Sequence, residues 1–211
     1  MNMKKFLSFL WNWIAPIAFG IAVYLVITTF LVNVVTINGD SMAPNLLDEQ
    51  KVLVTKTHEA KRGDVIVFDA RKEDPRIQAG NKDYVKRVIG LPGDTVEYRN
   101  GDLYVNNKKV NESFISSDEQ QTGTEASFGS TWSLGTLSST GMWKKSDQGK
   151  TVVPKDAYFV LGDHRSVSND SRYFGFVSKE HVVGRVIVPF WYSDTVKKNV
   201  EKERNHFFAT N

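Results

Sequence analysis

The sequence predicts a mainly β protein: an antiparallel β domain behind one N-terminal transmembrane helix. Three observations predict it. From Phe6 to Gly39, 34 residues pass without an Asp, Glu, Lys or Arg, although 24% of the whole chain is charged. Beyond residue 37, short apolar runs recur about every 12 residues with Gly or Pro between them, the rhythm of a sandwich or barrel. Asn100-Gly101 sits between two alternating segments, the strongest short hairpin signal.

The helix comes first. Residues 14–35 are nearly all apolar, and a bilayer core takes about 20 such residues. Trp11 and Trp13 stand where an interfacial aromatic belt would lie, and Pro16 falls near the expected helix entry, where proline is tolerated. Lys4 and Lys5 precede the run and no cation follows until Lys51. The positive-inside rule then puts the N-terminus in the cytoplasm and the rest outside a single-pass cell-membrane anchor. A cleaved targeting segment has a shorter apolar core, about 7–15 residues, and a small-x-small site that residues 35–39 lack. A buried core helix is the other alternative, but the apolar residues lie all round this one. The expected layout is residues 1–12 cytoplasmic, 13–35 spanning, 36–192 an extracytoplasmic β domain, and 193–211 a basic tail.

Within the β domain, strands are expected at 51–55, 64–69, 84–89, 151–154, 157–161 and 182–190. A hairpin is expected over 95–110. Residues 112–150 are rich in Ser, Thr, Gly and Gln and read as a variable, exposed insert, with a hairpin near 128–132. The tail carries Lys197, Lys198, Lys202 and Arg204 with two acids, Glu201 and Glu203, interspersed among them, which reads as a solvated end.

Composition excludes several chemistries. There is no cysteine, so disulfides, thiolate nucleophiles and cysteine-held metals are ruled out. His58, His164, His181 and His206 are scattered without a metal-binding spacing, and no cofactor or metal is expected. A net charge of +3 argues against a nucleic-acid partner.

Three polar constellations remain. Residues 38–46 (Asn-Gly-Asp-Ser-Met-Ala-Pro-Asn-Leu) place Ser41 in a turn directly after the span; taken alone, such a serine is usually a turn residue. On the strand at 84–89, Lys86 and Arg87 alternate, so one of them must face the more buried side. An ordinary lysine, with a pKa of about 10.4, is neutral only about once in a thousand near pH 7.4. Burial lowers lysine pKa by up to about 3–5 units, and a neutral amine is a competent general base for serine. Residues 161–172 pack Asp163, His164, Arg165, Ser168, Asp170 and Arg172 into one segment, either a polar surface loop or a shell that orients reacting groups. A Ser-His-Asp triad through His164 and either Asp163 or Asp170 stays open, but it leaves Lys86 unexplained.

Taken together and in this order, the anchor, residues 39–46, 61–68, 84–94 and 162–172 resemble the bacterial type I signal peptidases. The resemblance spans most of the chain except the insert and the tail. It implies a membrane-bound serine endopeptidase with an antiparallel β catalytic domain, which removes signal peptides from exported preproteins after Ala-X-Ala-type sites. It matches Ser41 to the nucleophile and Lys86 to the general base. Ser168 matches the hydroxyl that orients the lysine, and Asp170 with Arg172 the ion pair beside the site. Asp163 and Arg165 match further supporting residues, and Ile37, Met42, Leu46, Tyr84 and Val85 the substrate pockets. Preproteins and membrane lipid are the implied partners, and a monomer is expected. Two positions depart from the family pattern: Gly39 stands where some relatives have an oxyanion-donating serine, so backbone N–H groups, chiefly that of Ser41, must serve, and His164 stands where asparagine is common. The rival readings are a membrane-anchored binding domain, which would lack one of Ser41 and Lys86, and the self-cleaving repressors, which are soluble and carry a DNA-binding module.

Overall fold

A computed structural model describes residues 3–26, 29, 31–57, 59–77 and 83–209; His58 lies outside them. The chain divides into two units, Met1–Asn33 and Val34–Asn211.

In the first unit, α1 (Met3–Val26) is a 24-residue helix. At 1.5 Å per residue it is about 36 Å long, enough for a hydrocarbon core of about 30 Å. Its stretch Phe9–Val26 is apolar enough to cross a membrane, and none of it is buried. Trp11, Trp13, Ile17, Phe19 and Tyr24 are all exposed, so the helix is apolar around its circumference, as a lipid-facing helix is. Its limits differ from the expected 13–35 at both ends. It begins ten residues earlier, which puts Pro16 in its interior rather than at its entry. It ends before the β-branched run 32–36, whose branched side chains favour the extended strand they adopt.

From Val32 onward the chain forms two sheets. Strands β1 (Val32–Thr36), β2 (Lys51–Thr55), β3 (Val65–Asp69), β4 (Asp83–Gly90), β9 (Ala157–Leu161), β10 (Val177–Ser178) and β11 (Val182–Ile187) form a seven-stranded sheet in the order β1-β2-β11-β3-β4-β9-β10. Strands β5 (Val96–Arg99), β6 (Asp102–Val105), β7 (Lys108–Lys109) and β8 (Thr131–Ser133) form the smaller sheet, β7-β6-β5-β8. The registered neighbours are antiparallel throughout. Asn100 and Gly101 both have positive φ, 53° and 83°, and close the β5–β6 hairpin as a type I′ turn. Asn106 and Asn107, at 50° and 63°, close β6–β7 in the same way.

Three expectations are corrected. Residues 151–154 form no strand: Val153 exchanges backbone bonds with Gly93 and Asp94 in a loop, and Pro154 can donate nothing to a ladder. The segment 112–150 is not an exposed insert. Phe114, Ile115, Trp132, Leu134, Leu137 and Trp143 are buried, and most of them share one core with Tyr98, Phe159 and Phe176. Its strand β8 pairs with β5 rather than closing a hairpin of its own. The tail is not a solvated end either, because Val200, Glu203 and Phe207 are buried and Ala209 donates its N–H to Lys109 O.

Candidate active site

Ser41 sits in a tight turn between two buried anchors, Ile37 and Met42. Ala43 N–H donates to Asp40 O, and Asn45 and Leu46 N–H donate to Met42 O, so the turn is held by its own backbone. Gly39 at φ +84° supplies the left-handed step into it, and its N–H is taken by Asp48 Oδ1 at 2.7 Å. Gly39 therefore has no N–H to offer a substrate. Among the described residues the Ser41 N–H has no acceptor.

Lys86 lies opposite on β4, its Nζ 2.8 Å from Ser41 Oγ and 3.0 Å from Val85 O. It is 3% exposed. Burial pushes its amine down from 10.5 to about 8, against the pull of the Asp170 and Asp163 carboxylates; Arg172 adds to the downward push. At pH 7.4 a pKa of about 8 leaves roughly a fifth of the amines neutral, against about one in a thousand for an ordinary lysine.

The polar segment after β9 closes around this pair. Asp170 takes two bonds from the Arg172 guanidinium, at 2.9 and 3.0 Å, and one from Gly162 N–H. Burial alone would raise the Asp170 carboxyl, but Arg172 and these donors hold it below the usual carboxylate range. Ser168 is buried beside it and adds to that lowering, although its hydroxyl makes no hydrogen bond of ordinary geometry. Gly162 is what lets these groups meet: a Cβ there would stand 2.1 Å from Ser168 Oγ and 2.6 Å from Ser41 O.

Asp163 and Arg165 do not pair with each other. Asp163 is gripped by Arg87, Nε to Oδ1 at 2.8 Å and Nη2 to Oδ2 at 2.6 Å, and by Asn45 at 2.8 Å. Arg87 also donates to Gly63 O and Asn199 O and lies over the Phe114 ring. Arg165 donates to Gly162 O and forms an ion pair with Glu112 at 2.6 Å. Arg87, Asn45, Gly162 and Glu112 are thus supporting residues that the sequence reading did not single out. For Arg87 the signal was present in the alternation with Lys86.

Gly39, Ser41, Tyr84, Lys86, His164 and Asn169 are among the residues lining one cleft of about 390 Å³. A narrower cleft of about 150 Å³ lies between residues 35–38 and residues 83–85 and includes Ile37, Tyr84 and Val85. Met42 and Leu46 line neither; they are core side chains packed in one cluster with Ile37 and Val85. The β9 ladder begins at Arg87, so Tyr84 and Val85 are registered with β3 alone. A larger cavity of about 610 Å³ lies between Lys61, Leu91 and the tail residues 205–208. None of the Ser41–Lys86 groups lines it, so volume does not mark the chemistry here.

Residues 10–191 match the family model described as signal peptidase, peptidase S26. Signal peptidase IB of Staphylococcus aureus (strain Mu50) is 38% identical over 205 residues, covering 95% of this chain and 98% of the relative. Signal peptidase I of Bacillus licheniformis is 33% identical over 194 residues, covering 90% and 92%. A crystal structure of a signal peptidase I from Enterococcus faecalis V583 is 36% identical with a TM-score of 0.47, covering 61% of this chain and 97% of that one.

Proposed function

Since the chain belongs to the signal peptidase family, peptidase S26, and is an endopeptidase that cleaves signal peptides from preproteins, we propose that Ser41 is its nucleophile and Lys86 its general base. The observation that carries this reading is the 2.8 Å approach of Lys86 Nζ to Ser41 Oγ by an amine that burial has brought down to about 8. His164 is a weaker candidate for the base, because among the described residues the partner of Ser41 Oγ is Lys86 Nζ and not a ring nitrogen of His164.

The substrate lies extended in the narrow cleft, between residues 35–38 and the 83–85 stretch of β4, and pairs with strand edges. Ile37 and Val85 bound shallow apolar sites that suit Ala at the −3 and −1 positions. Met42 and Leu46 support these walls from the core. The neutral Lys86 amine accepts the Ser41 proton as Oγ bonds to the scissile carbonyl carbon. The Ser41 N–H stabilises the oxyanion. The lysine then gives its proton to the leaving amine as the C–N bond breaks, and water hydrolyses the acyl-enzyme with the same lysine as base. The Asp170–Arg172 pair sets the field at the amine, and Ser168 acts on it through Asp170.

We also assign α1 as a single-pass anchor with the N-terminus cytoplasmic and the β domain outside, acting as a monomer in contact with membrane lipid.

The test is to incubate the detergent-solubilised protein with a preprotein carrying Ala at −3 and −1 and to sequence the new N-terminus. Cleavage directly after the −1 Ala, absent in Ser41→Ala, is the expected result. Cleavage elsewhere, or an active Ser41→Ala protein, contradicts the assignment.

A further inference from the structure

His164 holds the nucleophile loop at two adjacent points. Its ring Nδ1 lies 3.1 Å from Asp40 O, and its backbone N–H donates to Ser41 O at 3.1 Å. A carbonyl oxygen can only accept, so Nδ1 carries the proton and donates. The peptide group that His164 grips through Asp40 O is the same one whose N–H belongs to Ser41. That peptide is not among the cis bonds, so its C=O and N–H point in opposite directions. Fixing one end fixes the direction of the other.

The loop that carries the ring is itself held. Ser166, two residues on, donates both its N–H and its Oγ to the Glu119 carboxylate, at 2.9 and 2.8 Å, and His164 Nε2 faces that carboxylate at 3.8 Å. Glu119 comes from the 112–150 segment, where Thr124 Oγ donates to its backbone carbonyl. The segment expected to be a variable, exposed insert reaches the site through this clamp.

We propose that His164 is a positioning residue: its Nδ1–H orients the Asp40–Ser41 peptide so that the Ser41 N–H is aimed at the substrate oxyanion. The hydrogen bond from Nδ1–H to Asp40 O also polarises that peptide and strengthens its N–H as a donor. The inference rests on the Ser41–Lys86 reading, because it concerns the oxyanion of a Ser41 attack.

Preprotein processing by His164→Leu, His164→Asn and His164→Gln, with Ser41→Ala as a control, tests it. His164→Leu should lower kcat by about tenfold to a hundredfold and leave KM within about twofold, since the bond matters in the transition state more than in substrate binding. His164→Asn, whose Nδ2 falls near the position of Nδ1, should recover most of the loss. His164→Gln, with its amide one methylene further out, should not, and it stands in for leucine should that variant fail to fold. Normal kcat in both His164→Leu and His164→Gln, or no recovery in a folded His164→Asn, overturns the positioning role. An active Ser41→Ala protein overturns the dyad reading instead, so the two failures are distinguishable.

Discussion

Lys86 and Arg87 are consecutive on one strand and both are buried, at 3% and 0% exposure. Alternation sends them to opposite faces. Among the described residues, Lys86 enters the cleft beside Ser41 with no carboxylate in ion-pair contact, while Arg87 is locked to Asp163 by two short bonds. One cation is stripped of water with no counter-charge in contact and loses part of its charge; the other is buried against a carboxylate that offsets the cost of burying it.

Removing Arg87 therefore leaves the Asp163 carboxylate buried without a counter-charge and, among the described residues, held only by the Asn45 amide. Arg87→Met should lower unfolding stability by about 3–5 kcal/mol in urea titration. Arg87→Lys should recover only part of it, because an ammonium cannot make the paired bonds of a guanidinium. A loss under about 1 kcal/mol would show that the pair is not what secures this region.

Lys86 carries a stability cost of its own. Its pKa in the fold, about 8, lies below its ordinary 10.5, so folding disfavours the charged form. The cost is absent above pH 10.5, grows as pH falls toward 8 and is constant below that, at about 3 kcal/mol. Lys86→Met should be inactive yet more stable than the unaltered protein at pH 7, with the gain fading as pH rises toward 10.5. Thermal melts across that range test this; a variant less stable at pH 7 contradicts it.

Gly162→Ala should damage the site although it adds only one methyl group. Its Cβ would meet Ser168 Oγ at 2.1 Å and Ser41 O at 2.6 Å. The serine side chain has little room to yield, and the second contact is backbone. Adding Ser168→Gly relieves only the first clash, so processing should stay impaired in the double variant. Full activity in Gly162→Ala would mean the two loops have more freedom than this packing allows.

The tail contributes to the core, not to solvation. Phe207 is 3% exposed and packs with Val110 and Trp143 in one cluster. Phe207→Ala should cost about 3–5 kcal/mol in denaturant unfolding, whereas a solvated end would lose almost nothing.

Much of this was legible in the sequence, and the exceptions share a cause. The uncharged run marked the helix, and the Asn-Gly pair at 100–101 marked a hairpin, because both signals are local. The Ser41 turn, the β4 strand and the 162–172 segment were recognisable as motifs, and the structure brings Ser41, Lys86, Ser168, Asp170 and Arg172 into one neighbourhood. The partners of Asp163 and Arg165 were not legible: Arg87 lies 76 positions from Asp163, and Glu112 sits in a segment whose polar composition hides its buried residues. The same holds for the tail, where alternating charges outnumber the few apolar side chains that do the packing. The helix end was missed by nine residues because an apolar run does not say where α gives way to β.

The central claim is that a neutral Lys86 activates Ser41. The most direct measurement is the pH dependence of kcat/KM for preprotein processing by the unaltered protein and by Lys86→Ala. The account predicts activity that falls as pH drops through about 8, and a loss of about 10⁴-fold in the variant at pH 8 and above that narrows at lower pH, because the variant lacks the group that makes the limb. Near-normal turnover by a folded Lys86→Ala protein, or an acidic limb unrelated to a group near 8, would contradict it.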